Sequence, residues 1–171
     1  MPYAKDHADY ITITCLEWKP VLADDSYKNI VLDSLGFLTS GKRVNIFAFV
    51  IMSNHLHMIW QMLDEHKRED VRRDFLRYTG QQILKGLRMQ QSDFLQELYV
   101  NAKDRKYQVW ERNALSIPLY SDSFFHQKLD YIHNNPVRAG LCRYPEEYHY
   151  SSALFYYKNV KNFDFLTHYN G

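Results

Sequence analysis

The sequence predicts an α+β domain: an antiparallel sheet with helices packed on it in the order βαββαβ, followed by one added helix. Three observations carry this. Two apolar runs, Val44 to Met52 and His55 to Met62, are separated only by "SN", which reads as a central strand pair joined by a tight turn. Segments with helical spacing lie on either side of that pair. Shorter β-rich segments lie before the first helix and after the second. Four strands and two helices in this order form the ferredoxin-like sandwich. At 171 residues the chain has room for one domain, read here as residues 1–171, and little room for a second.

The elements follow in order. "YITITCLEW", Tyr10 to Trp18, is rich in β-branched and aromatic residues and reads as the first strand, closed by Pro20. Asp24 or Asp25 can cap the helix that follows. Ile30, Val31, Ser34, Leu35 and Leu38 keep its apolar period, and Gly41 ends it. Val44 to Met52 is apolar at nearly every position, as in a strand covered on both faces. From Asp64 to about Gln90 a charged amphipathic helix is expected, with Val71, Phe75, Leu76, Ile83, Leu84 and Leu87 inward. "NAKDRKYQVWERN" reads as a polar connection. "ALSIPLYS" reads as a short strand that Pro118 confines to an edge. "SDSFFHQKLDYIHN" reads as a helix capped by Ser121 or Ser123 and stopping before Pro136, and the tail as a turn and a short helix.

Composition narrows the function classes. With 21 Lys and Arg against 20 Asp and Glu, the net charge of +1 gives no global field for nucleic acid, so any such binding needs a local patch. The two cysteines, Cys15 and Cys142, are far apart and form neither a disulfide framework nor a CxxC zinc pair. "MPYAKDHADY" lacks a signal pattern, and no apolar run approaches the roughly 20 residues of a membrane span. A soluble cytoplasmic protein is expected.

Strand alternation puts His55, His57, Ile59 and Gln61 on one face, and Leu56, Met58, Trp60 and Met62 on the core face. The two imidazoles therefore lie side by side and can aim at one ion, though half-buried, hydrogen-bonded rings fit the same spacing. In the later helix Gln127, Tyr131 and Asn135 form a stripe, while Phe125, Leu129 and Ile132 hold the helix to the body. A tyrosine hydroxyl can form a covalent intermediate, and a divalent cation can polarise the phosphoryl group it attacks. An Asn135 amide oxygen beside two imidazoles suits Mg²⁺ or Mn²⁺. On spacing alone Tyr131 also fits a packing ring, and Asn135 a helix cap ahead of Pro136. His133 lies on a different helix face and is not expected to be a ligand.

"IMSNHLHMIW" resembles the histidine-hydrophobic-histidine motif of the single-tyrosine transposases. "LDYIHNNPVRAGL" followed by "YPEEYHYSSA", with "QVWERN" ahead of them, resembles the C-terminal signature of the REP-associated tyrosine transposases, the bacterial branch of that superfamily. The resemblance implies a ferredoxin-like fold, a divalent metal (Mg²⁺ or Mn²⁺) on His55 and His57, Tyr131 as nucleophile, and Asn135, four residues on, as third ligand. It implies cleavage and rejoining of single-stranded or hairpin DNA through a 5′-phosphotyrosine, by a monomer or a homodimer. A non-catalytic protein binding hairpin DNA or RNA on the same fold is the alternative.

A single-stranded substrate needs basic residues and stacking rings. The expected contacts are Arg72, Arg73 and Arg77 on the long helix, Lys103, Arg105 and Lys106 in the connection after it, Trp110, and Arg138 beyond Pro136. Tyr78 and Tyr107 lie nearby. Glu65, Glu69, Asp70 and Asp74 alternate with the helix bases, so a solvated, self-paired face is the competing reading.

Overall fold

The computed structural model describes residues 7–170; residues 1–6, which carry most of the segment read for a signal pattern, and Gly171 lie outside it. Its elements are β1 (Ala8–Thr14), α1 (Asp25–Ser40), β2 (Val44–Ile51), β3 (His55–Met62), α2 (Arg68–Met89), β4 (Tyr99–Ala102), β5 (Arg105–Tyr107), β6 (Leu115–Leu119), α3 (Asp122–Arg138) and α4 (Ala153–Lys158). The main sheet runs β2-β3-β1-β6 with every neighbour antiparallel, which is the expected βαββαβ sandwich with an added tyrosine-bearing helix.

Alternation along the strands divides the core in two. Ile11, Ile13, Leu56, Met58 and Trp60 face α1 and α2, meeting Val31, Leu35, Phe75 and Ile83. Tyr10, Val50 and Ile59 face the other way and meet Phe125, Leu129 and Ile132 of α3. A β-bulge at Phe47 lets both Phe47 and Ala48 join that second layer. The histidine face of β3 is therefore the face α3 covers, which is what brings Tyr131 to it.

Local chemistry sets the boundaries. The Asp24 carboxylate accepts the Ser26 N–H at 2.8 Å and starts α1, and Gly41 ends it. β1 stops at Thr14, four residues short of the expected end. The Leu16 N–H turns aside to the Val109 carbonyl at 2.8 Å, and Leu16 to Trp18 form a 3-10 turn. β6 pairs only with β1, with Pro118 opposite Asp9, as an edge strand should.

Two expectations are corrected. The polar connection after α2 contains the β4–β5 hairpin, with Asn101 in the left-handed region (φ 47°) and the Tyr99 and Tyr107 rings 5.7 Å apart. Its strands are too short and too charged to show an apolar alternation. The second correction is that α3 does not stop before Pro136 but continues to Arg138. Pro136 sits in the last turn, where it removes one backbone bond and buries its ring. Gly140 (φ 76°) then donates to the Val137 carbonyl, and Leu141 to that of Pro136, both near 3.0 Å. This is a Schellman ending, so "PVRAGL" is a helix terminator.

Candidate functional site

The site lies where the start of β3 meets the middle of α3. The His55 and His57 ring centroids are 4.8 Å apart, and that of Tyr131 is 5.6 Å from His57 in the same chain. Tyr131 is 45% exposed, so it is reachable from solvent while its ring packs edge-on with Tyr10 and His57. His57 is buried and His55 half-buried.

Each imidazole is held through Nδ1. His57 Nδ1 lies 2.9 Å from the Tyr10 hydroxyl and 2.8 Å from that of Thr12. His55 Nδ1 lies 2.7 Å from Asn54 Oδ1, an acceptor only, which fixes the proton on Nδ1. Among the described residues no hydrogen bond engages either Nε2, so both atoms remain open to an ion. Burial pushes His57 down to about 3, with the charges of His55, Arg138 and Lys128 adding to it; burial also lowers His55. Both rings are therefore neutral near pH ~7, the form that ligates metal.

Asn135 follows Tyr131 by one helical turn on the same stripe and is half-buried, and its backbone carbonyl accepts the Ala139 N–H. Among the described residues no group of three or more His, Cys, Asp or Glu side chains could hold a metal. The donors brought together here are instead two neutral imidazoles, with the Asn135 amide one helical turn from the tyrosine that packs on His57. They fit a divalent ion that keeps several positions for substrate oxygens. Imidazole nitrogen is a softer donor than the oxygens Mg²⁺ prefers, and Mn²⁺ accepts both.

Two cations flank the tyrosine. The Arg138 guanidinium lies 4.3 Å from the Tyr131 ring centroid, and its Nη2 donates to the Tyr131 carbonyl at 2.9 Å. The Lys128 ammonium lies 4.8 Å from the Tyr10 ring centroid and 5.8 Å from that of Tyr131. Together with Gln127, Asp130 and Asn134 they line an open concavity of about 320 Å³ around the tyrosine.

The other expected contacts separate by environment. Arg72, Arg73, Arg77 and Arg105 line a groove of about 760 Å³ between α2 and the hairpin. Arg72 and Arg77 form no ion pair among the described residues. Arg73 is paired with Asp70 (2.9 Å) and Asp74 (3.3 Å), and Arg105 with Asp104 (2.8 Å). Lys103 is exposed at the hairpin turn and Lys106 on β5. Trp110 is a correction: it is 6% exposed, and its indole N–H donates to Thr79 Oγ1 at 3.0 Å. Its ring belongs to the core and adds little open surface to the arginine groove it lines.

Sequence reasoning missed Tyr10, Thr12, Asn54 and Lys128. The first two had a signal, since they share the histidine face of the adjoining strand in register with Ile59 and His57. Lys128 precedes Tyr131 by three residues, a helical neighbour. His133 lies away from the site, buried, with Nε2 2.7 Å from Ser152 Oγ.

No protein-family model and no curated protein matches the chain. Solved structures do, and they define a class: the chain has a transposase-type fold. One is a REP-associated tyrosine transposase bound to a REP hairpin, with TM-score 0.63 and 13% identity, covering 88% of this chain and 79% of the other. A second, from Deinococcus radiodurans R1, is provisionally assigned as a transposase; its TM-score is 0.53 at 13% identity, over 77% of this chain and 92% of the other. The particular fold is therefore that of the REP-associated tyrosine transposase, and at this identity the likeness is one of fold. No helix among the described residues is long and apolar enough to cross a membrane.

Proposed function

We propose that this protein is a metal-dependent transposase that cleaves and rejoins single-stranded or hairpin DNA through Tyr131. The observation that carries the reading is the approach of an exposed tyrosine to two imidazoles of its own chain whose Nε2 atoms are unengaged. The solved relative that binds a REP hairpin supports DNA as the substrate class, and the arginine-lined groove beside α2 supplies phosphate contacts.

In this reading His55, His57 and Asn135 hold the ion. When bound, the ion supplies charge to polarise a phosphate oxygen. Tyr131 Oη attacks phosphorus, the P–O3′ bond breaks, the phenol proton is lost to solvent, and the departing 3′ oxygen is protonated. The strand's 5′ phosphate is then joined to Tyr131. A second 3′ hydroxyl reverses the step, so no nucleotide cofactor is needed. Arg138 and Lys128 offset the charge that builds on phosphate. Asn54 keeps the His55 proton on Nδ1, and Tyr10 and Thr12 hold the His57 ring in place through its Nδ1. The approach of Tyr131 to histidines of its own chain supports action by a monomer.

The test is a denaturing gel of the protein incubated with Mn²⁺ and labelled single-stranded and hairpin DNA. A covalent protein–DNA band that disappears in Tyr131→Phe and in His57→Ala is expected. A band retained in Tyr131→Phe refutes the assignment. DNA binding with no band under any condition favours the non-catalytic alternative.

A further inference from the structure

Trp18 has no role in the scheme above, yet its placement is unusual. It is 58% exposed, whereas Trp60 and Trp110 are buried. Its backbone has φ 59°, following Glu17 at φ 51°. Two consecutive non-glycine residues in the left-handed region are strained, more so where one is bulky, and such strain persists only where the surroundings enforce it. Here they do. The Leu16 N–H bonds the Val109 carbonyl at 2.8 Å, the Trp18 N–H bonds the Cys15 carbonyl at 2.9 Å, and the Glu17 N–H bonds Glu111 Oε1 at 2.6 Å. The result is an indole held in solvent with its ring inclined at 66° to that of His55, centroids 5.4 Å apart.

The position has a second property. Val109 and Glu111, to which the turn is tied, line the arginine groove. The turn therefore links the groove to the histidines, and an exposed indole lies on that link. A ring in that position is suited to a nucleobase, because every base has a π-face and stacking needs no sequence match.

We infer that Trp18 is a stacking platform for a nucleobase of a single-stranded DNA, next to the phosphate presented to Tyr131. The inference rests on the reading of the site as a DNA-cleaving centre. It assigns Trp18 a substrate-binding role, with the strand running from the arginine groove across the indole to the histidine–tyrosine face.

The experiment uses two probes of equal phosphate count, an oligothymidylate of about 20 nucleotides and a fully abasic strand of the same length, with the Tyr131→Phe protein. Trp18→Ala is expected to weaken oligothymidylate binding by about 5- to 100-fold and abasic-strand binding by less than about twofold. Trp18→Phe, which keeps a ring, retains most of the affinity. Iodide quenching of tryptophan emission, which reads the exposed indole, is expected to fall when oligothymidylate binds. Equal losses on both probes, or no loss on oligothymidylate, overturn the inference, as does failure of the parent protein to bind oligothymidylate. Wild-type adduct formation is scored separately. An adduct together with an unaffected Trp18→Ala sinks the platform and leaves the cleavage reading standing. A base-dependent loss without any adduct does the reverse.

Discussion

Replacing His133 with Gln tests how the tyrosine helix is pinned to the sheet. His133 is 1% exposed, with Nε2 2.7 Å from Ser152 Oγ, and that serine hydroxyl accepts the Phe49 N–H at 3.0 Å. The imidazole thus ties α3, the segment before α4 and β2 together. Burial holds its pKa at about 3, against 6.5 for an unperturbed imidazole. The folded state resists the proton and the unfolded chain takes it, so this contribution is complete above pH ~6.5 and is lost progressively as pH falls toward ~3. Going from about pH 7 to about pH 5, the linkage removes roughly 2 kcal/mol of stability. Gln keeps a hydrogen-bonding end but cannot titrate. Urea unfolding followed by far-UV circular dichroism at both pH values gives the comparison. His57 is also lowered to about 3, so wild type loses more than this one share. The diagnostic quantity is the stability gap between wild type and His133→Gln, expected to shrink by about 2 kcal/mol at the lower pH. A gap unchanged between the two pH values would show that His133 accepts its proton in the folded protein, and the reasoning would fail.

Further predictions concern the site and its approaches. Tyr10→Phe combined with Thr12→Val removes both partners of His57 Nδ1 while keeping the packing, and should weaken Mn²⁺ binding by roughly 10- to 100-fold in calorimetric titration; unchanged affinity would deny these hydroxyls a role in orienting the ligand. Arg77→Ala should reduce the slope of log affinity against log salt by about 0.7 for single-stranded DNA, and Arg73→Ala by less, because Asp70 and Asp74 already hold Arg73. Equal slopes for the two variants would count against that ordering. Trp110→Ala should cost about 3–5 kcal/mol in urea unfolding, whereas folded Trp110→Phe should bind DNA within about twofold of wild type; a binding defect in the Phe variant would return Trp110 to the interface.

The sandwich was legible because its signals are periodic. The alternation from His55 to Met62 fixed which side chains meet α1 and α2 and which meet α3, and the central strands are apolar enough to be unmistakable. What escaped reading depends on contacts distant in sequence. β1 looks able to continue to Trp18, and only the Val109 carbonyl, over ninety residues away, turns it at Leu16. Pro136 reads as a stop for the same reason: its local penalty is visible, while the buried surface that offsets it is not. The basic residues show the limit for binding sites. Sequence names Arg72, Arg73 and Arg77 alike, and only the placement of the carboxylates separates Arg73 from its neighbours.

The stretch "YIHNNPVRAGL" with "YSSA" carries most of the resemblance, yet much of it is architectural. Ile132 and Pro136 bury, His133 joins Ser152, and Gly140 and Leu141 close the helix. These residues would preserve the same helix end in a protein that had lost its chemistry. The residues free to act are the remainder: Tyr131 beside His57, Asn135 one helical turn further along the same stripe, and Arg138 folded back over the tyrosine ring. A change in Gly140 or His133 should therefore lower stability and activity together. Asn135→Ala, on the half-buried side of the helix, should lower metal affinity by about tenfold or more while stability moves by less than about 1 kcal/mol. If Asn135→Ala instead unfolds the protein and leaves the metal affinity of the surviving fraction intact, the amide is a helix fixture and the ion has only two ligands from this chain.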